Sequence, residues 1–171
     1  MKSGLWIRLD VMARNMAPFL LTLALLLLSL VQTHIEKFGA VMPMLVLISV
    51  YYWAIYRPDL MPMSMVFLLG ILHDLIGGGM VGLQAFILLS AFGFVSRQRR
   101  FFHGKSFGVV WWGFMLVGLF AAILQWGFMI FIEQRLISPW PVFFSYLLSV
   151  AIFPILAIMM IAVHRTLPLQ D

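Results

Sequence analysis

Long apolar runs that are nearly free of charge constrain this chain more than any other feature. Hydrophobic residues make up 64% of its 171 residues, and charged residues only 10%. Soluble domains average about 25% charged residues, and a domain of this size leaves roughly 30% of its unfolded surface for polar side chains to cover. The composition therefore excludes an ordinary soluble domain. It indicates a protein that folds in lipid, with room for about six to seven helices of about 20 residues each.

Charged and turn-forming residues divide the apolar sequence into six segments. We therefore predict an all-α polytopic membrane protein with one transmembrane domain over residues 17–164. The predicted spans are about 18–33, 38–56, 62–77, 82–96, 106–132 and 142–164. The third and fourth are short, because the glycine-rich run 77–82 weakens a continuous helix and indicates a break. Residues 1–16 form an amphipathic segment that lies on the inner membrane surface or begins the first span, and residues 165–171 form a short cytoplasmic tail.

The second predicted span ends in a cluster of aromatic residues. These are Tyr51, Tyr52, Trp53 and Tyr56. Tyrosine and tryptophan are enriched at the membrane–water interface, where their amphipathic rings sit at the level of the headgroups. We therefore expect these rings to lie at the membrane surface.

Lysine and arginine are distributed unevenly between the two sides that six spans create. With a cytoplasmic N-terminus, nine of them lie in inside segments, and only Lys37 and Arg135 lie outside. Because cytoplasmic loops are enriched in these residues, we predict that both termini are cytoplasmic. We interpret the basic loop Arg97–Arg100 as a topology anchor, with binding of anionic headgroups or an acidic partner as the alternative. The net charge of +5 is thus explained without nucleic-acid binding.

Asp74 is the one carboxylate that cannot be assigned to a loop. A charged side chain in hydrocarbon costs roughly 2.5–3.5 kcal/mol even on the lenient insertion scale, so Asp74 should face the bundle or water. It follows His73 and shares a helical stripe with Gly70, which would let a neighbouring helix approach closely. One interpretation is a proton or ligand site. The other, which we favour, is that Asp74 caps the broken backbone at the glycine run, or bonds His73 or another helix.

The inventory of reactive residues does not favour an enzyme. The chain has no cysteine, which excludes thiol catalysis, zinc–thiolate sites and iron–sulfur clusters. The motifs of zinc and serine hydrolases are absent from the sequence, and an aspartyl intramembrane protease would need a second intramembrane carboxylate beside Asp74. We therefore predict no catalytic, cofactor or metal residues.

An ordered set of motifs resembles the signature of the MreD family of rod shape-determining proteins. It runs through Tyr-Trp and Arg-Pro-Asp, a proline, then Gly-x-x-x-Asp and a glycine-rich turn that ends in Gly-Leu, all between Tyr52 and Leu83. The spacing agrees over about forty residues, and the length and the basic N-terminus agree over the whole chain. On this resemblance we predict that the partner-binding or structural residues are Trp53, Arg57, Pro58, Asp59, Pro62, Gly70, His73, Asp74, Gly78 and Gly82.

The resemblance implies a protein of the bacterial inner membrane that takes part in cell elongation and peptidoglycan synthesis. Members of the family are understood to bind MreC, a bitopic protein with a periplasmic domain. They work beside MreB, RodA and a penicillin-binding transpeptidase, and no catalysis is attributed to them. The resemblance therefore implies a non-catalytic scaffold surrounded by membrane lipids.

The same six-helix layout is also similar to the S component of ECF-type vitamin importers, which supplies an alternative function. An S component binds a small molecule and couples to its transporter through small residues spaced by four on the first helix. Here Ala13 and Ala17 have that spacing, but Arg14 and Asn15 lie between them. This feature argues mildly against the importer.

Overall fold

All the regular secondary structure in the described part of the chain is helical. The structure, a computed structural model, describes residues 4–29, 41–78, 80–102, 104–134 and 138–166. They form six helices, which are α1 (Gly4–Ser29), α2 (Leu45–Tyr56), α3 (Met63–Gly77), α4 (Leu83–Phe102), α5 (Phe107–Glu133) and α6 (Trp140–Thr166). The helix order follows the six apolar segments of the sequence.

Helix α2 is the centre of the bundle. Every residue from Leu45 to Ile55 is buried, and the helix packs against α1, α4, α5 and α6. Tyr51, Tyr52 and Trp53 are at most 2% exposed, so their rings lack the expected contact with headgroups, whereas their depth in the membrane stays a prediction. A central helix faces protein on all sides, so its rings pack against other helices instead of headgroups. Tyr51, for example, contacts the rings of Phe114 and Phe153 edge-on.

The helices alternate in direction, so the bundle has two ends. At the first, which we call the Asp74 end, the C-termini of α1 and α3 meet the N-termini of α2, α4 and α6 around one cavity. At the second, the Arg57 end, α2 leads into α3. There the Tyr52 hydroxyl lies 3.4 Å from Nδ1 of His164 near the end of α6, and Tyr51 donates a 2.8 Å hydrogen bond to the carbonyl of Val110 near the start of α5.

Hydroxyl groups join the helices inside the bundle. Thr22 of α1 and Ser49 of α2 are hydrogen-bonded at 2.7 Å, and both are buried. The non-helical residues 41–44 are held against α6, where the hydroxyl of Ser149 accepts a 2.7 Å bond from the backbone N–H of Met44. Such contacts are needed because irregular backbone at membrane depth is tolerated only where protein or a cavity satisfies it.

Several helix boundaries differ from the predicted segments, among them the start of α1 at Gly4, the start of α2 and the end of α4. Helix α2 begins at Leu45 rather than near residue 38, since Pro43 disfavours helix at the residue before it. Helix α4 continues through Arg97–Arg100 to Phe102, so the prediction of a basic loop there is wrong. Arginine and glutamine are good helix formers, and the burial of Phe102 stabilises the extended helix.

The outer surface of the bundle is rich in large apolar side chains. Exposed examples occur along several helices, such as Leu28, Trp112, Leu116, Phe131 and Ile155, and patches of this extent are unusual on soluble monomers. By length and composition, two of the helices within the described residues can cross a membrane, over 107–133 and 140–164. The surface thus suits a lipid environment.

Candidate functional site

The buried carboxylate of Asp74 binds the backbone where α4 begins. Its Oδ2 atom accepts a 2.7 Å hydrogen bond from the N–H of Gly82, and both carboxylate oxygens lie 3.2 Å from the N–H of Gln84. The first N–H groups of a helix have no partner within it, and a negative charge there is favoured by the helix dipole. Asp74, which is 3% exposed, therefore caps α4 from the last turns of α3.

Two glycines shape the turn that Asp74 holds. Gly78 ends α3 with a φ of +68° and donates its N–H to the carbonyl of Asp74, and Gly82 has a φ of +103°. Residues with a Cβ rarely adopt such angles. The turn therefore requires glycine at both positions, and Asp74 binds it with side chain and backbone together.

Gly70 allows α3 and α4 to touch one turn before Asp74. A Cβ placed on Gly70 would lie 2.6 Å from the backbone nitrogen of Ala85 and would also meet its Cα. This spacing is shorter than any real contact of a Cβ atom, so a side chain at residue 70 would push the helices apart. The small residue thus fixes the helix pair whose turn Asp74 caps.

His73 lies on the wall of the cavity at the Asp74 end and is not among the groups that bind the carboxylate. The cavity has a volume of about 390 Å³, and its polar side chains include Gln84 of α4 and Gln125 of α5. Among the described residues that line it, none is Asp, Glu, Lys or Arg. The cavity can therefore offer hydrogen bonds from neutral groups. Sequence reasoning missed it, because it depends on how the helices converge.

At the Arg57 end, the Arg-Pro-Asp motif forms the turn between α2 and α3. Nε of Arg57 lies 3.2 Å from Oδ2 of Asp59, and the carbonyl of Pro58 accepts a hydrogen bond from the N–H of Met61. Pro62 then precedes α3, and its carbonyl accepts the N–H groups of Met65 and Val66. An ion pair and two prolines thus set the direction in which the chain turns.

Trp53 lies beneath this turn and is fully buried. Its ring is 6.1 Å from that of His164 and 5.2 Å from that of Tyr52. Its indole N–H has no hydrogen-bond partner among the described residues. His164, near the end of α6, was missed by the sequence reasoning because no motif marks it.

The predicted site residues therefore fall into two separate groups. Trp53, Arg57, Pro58, Asp59 and Pro62 lie at the Arg57 end, whereas Gly70, His73, Asp74, Gly78 and Gly82 lie toward the other end. Helix α3, whose 15 residues rise about 22 Å at about 1.5 Å per residue, begins next to the first group and carries Gly70, His73 and Asp74 of the second. In the described residues no group of three or more His, Cys, Asp or Glu side chains is placed to hold a metal ion.

Comparison with known proteins gives one match. A family model described as rod shape-determining protein MreD matches residues 12–167. Neither a search of curated proteins nor a search of solved structures finds a match. The match covers α2 to α6, all of α1 except residues 4–11, and both groups of site residues, so this chain belongs to the MreD family of rod shape-determining membrane proteins.

Proposed function

We propose that the chain is a non-catalytic inner-membrane scaffold of the cell-elongation machinery and that it binds an MreC-like bitopic membrane protein. In this role it works beside MreB, RodA and a penicillin-binding transpeptidase during peptidoglycan synthesis. Membership of the MreD family implies a role in rod shape determination. The named partners and the scaffold role are what we propose beyond this family role.

The observation that carries the proposal is the exposed apolar surface at the turn between α3 and α4. Around buried Asp74, the turn exposes Leu75, Ile76, Met80 and Val81, with Val81 63% exposed. In lipid, helices associate through close packing and a few hydrogen bonds rather than through the hydrophobic effect. Because Asp74 binds the backbone N–H groups of Gly82 and Gln84, this part of the turn loses less conformational entropy when a partner packs on it.

The predicted topology places this turn on the periplasmic side, where a bitopic partner with a periplasmic domain leaves the membrane. The partner's transmembrane helix would then pack against the end of the α3–α4 pair. Asp74 acts in this account as a structural residue, because its carboxylate is occupied by backbone N–H groups.

Photo-crosslinking in the native membrane tests the proposal. We place a photoreactive amino acid at Val81 and, as a matched control, at Phe131, which is also exposed and apolar but lies on α5. We expect Val81 to crosslink to an MreC-like protein and Phe131 to give little of that product. Equal crosslinking at both positions, or none at Val81, would contradict the assigned surface.

The second candidate function, a small-molecule-binding S component of an ECF-type importer, is favoured by the cavity at the Asp74 end. Its volume of about 390 Å³ and its lining by His73, Gln84 and Gln125 suit a small neutral ligand. A pull-down from the native membrane separates the two functions. Recovery of MreC-like and wall-synthesis proteins supports the scaffold, whereas recovery of an ATPase pair with a retained small molecule supports the importer.

A further inference from the structure

A second cavity, of about 370 Å³, lies between α4 and α5 at the Arg57 end, and it differs from the first in its chemistry. We call it the α4–α5 groove. It is lined almost entirely by apolar groups, among them Phe94, Phe101, Trp112 and Leu116, and Gln98 is the polar exception. Trp112 and Leu116 are each 67% exposed. The groove is therefore open and apolar, and it lies on the outer surface of the bundle.

Along the helices, the groove is about as long as one leaflet of the bilayer is thick. Its lining residues run from 91 to 102 on α4 and from 109 to 120 on α5, which is about 17 Å on each wall at about 1.5 Å per residue. The hydrocarbon core of a bilayer is about 30 Å thick. A partner's transmembrane helix would use a face that spans both leaflets, whereas this groove matches the length of a lipid chain.

Positive charge is placed at the end of the groove where the two helices join. Nζ of Lys105 lies 6.0 Å from the ring centroid of Phe101, which itself lines the groove. Arg97 precedes Phe101 by four residues, so the two lie on the same side of α4, and Arg97 is exposed. Arg100 is two residues from Gln98, about 200° around the helix, and so lies on the opposite side of α4. Lys105 and Arg97 are thus the two cations assigned to the side of Phe101, the first by its distance and the second by helical spacing.

We propose that the α4–α5 groove binds an anionic membrane phospholipid. One acyl chain lies along Phe94, Trp112 and Leu116, and the phosphate lies between Arg97 and Lys105. The amide of Gln98 is at the depth of the ester groups. Charge complementarity selects the lipid class, because basic residues next to a membrane attract its anionic lipids. The predicted cytoplasmic position of this end agrees with the leaflet in which those lipids lie. The proposal does not depend on the MreC-like partner.

Brominated lipids test the proposal, since bromine quenches a tryptophan that it touches. The purified full chain is placed in nanodiscs of phosphatidylcholine with about 10 mol% phosphatidylglycerol, with bromine on the chains of one lipid or of the other at equal mole fraction. We expect brominated phosphatidylglycerol to quench more strongly than brominated phosphatidylcholine. Trp112→Phe should remove that excess, because Trp112 is the tryptophan among the described residues that line the groove.

Charge variants identify the headgroup contact. Lys105→Gln and Arg97→Gln should each weaken phosphatidylglycerol binding about fivefold, as expected for one basic residue near an anionic surface. Arg100→Gln removes the same charge from the opposite side of α4 and should leave binding nearly unchanged. Raising the salt concentration should reduce the excess quenching in the unaltered chain, because salt screens exposed charges, and this measurement requires no variant.

Three results would overturn the proposal. They are equal quenching by the two lipids, an excess that survives Trp112→Phe, and an equal effect of Arg100→Gln and Lys105→Gln. The first would mean that the groove does not select anionic lipid, the second that the lipid lies elsewhere, and the third that only net charge matters. None of these results bears on the binding of an MreC-like protein, which the crosslinking at Val81 tests separately.

Discussion

The carboxylate of Asp74 accepts a 2.7 Å hydrogen bond from the backbone N–H of Gly82, and this bond ties the end of α3 to the start of α4. The same carboxylate reaches the N–H of Gln84, so one buried side chain satisfies two backbone groups that α4 leaves unpaired. Hydrogen bonds to a charged group contribute about 1.5–3 kcal/mol each. The turn between the helices therefore depends on Asp74 more than on any other side chain near it.

The contact between Gly70 and Ala85 predicts a stability difference. Gly70→Ala should destabilise the bundle by about 1–3 kcal/mol, the usual cost of overpacking, because its Cβ would meet the backbone of Ala85. Thermal stability in detergent, followed by the monodisperse fraction that survives heating, measures the effect. Gly93→Ala in α4 is the control, since no atom lies within 4 Å of the added carbon. If the two variants are equally stable, the helices do not touch at Gly70.

The ion pair between Arg57 and Asp59 predicts that charge reversal is not additive. The Arg57 side chain is 15% exposed and that of Asp59 is 50% exposed, so we expect the pair to contribute about 0.5–1 kcal/mol, near the top of the range for exposed pairs. Arg57→Asp or Asp59→Arg alone places like charges together, whereas the double reversal restores an attractive pair. Thermal stability and partner co-purification should therefore be better in the double variant. A double variant that is worse than each single variant would exclude the pairing.

The alternating directions of the helices bear on the predicted topology. If all six helices cross the membrane, both termini lie on one side, and the link after the first span lies on the other. Reporter fusions at Asp171 and at the Glu36–Lys37 link should then report opposite sides, with Asp171 cytoplasmic. Signals from the same side would refute the six-span topology.

The sequence predicted the number and order of the helices because turns and charges interrupt the apolar runs. It also singled out Asp74, since a carboxylate without a charged neighbour at membrane depth needs a reason to be there. Gly70 was expected to admit a neighbouring helix, and the structure identifies that helix as α4. These features are local in the sequence, which is why they could be read from it.

Which residues are buried could not be predicted from the sequence in the same way. In lipid, the inside and the outside of a bundle are both apolar, so hydropathy does not distinguish the central helix α2 from helices that face the membrane. This is why the rings of Tyr51 and Trp53 were placed at the surface, although they are buried. The two cavities and the position of His164 depend on contacts between helices far apart in sequence. The extension of α4 to Phe102 was not predicted, because the charged residues 97–100 were interpreted as a loop after an apolar span.

In the proposed scaffold function, Asp74 is the structural cap of the turn that holds the partner. Asp74→Asn retains an oxygen that can accept the N–H groups of Gly82 and Gln84, whereas Asp74→Leu removes both bonds. The Leu variant loses both hydrogen bonds to the charged group, at about 1.5–3 kcal/mol each. The Leu variant should therefore lose the fixed turn, and the Asn variant should keep most of it.

The most direct test measures how much MreC-like protein co-purifies with each Asp74 variant from membranes that contain equal amounts of folded, inserted chain. We predict that Asp74→Asn retains most of the partner and rod shape, and that Asp74→Leu loses both. The contradictory result is loss of the partner in Asp74→Asn while the protein remains folded and inserted. That outcome would mean that an ionisable carboxylate is required, and a proton-coupled or ligand-binding mechanism would replace the scaffold.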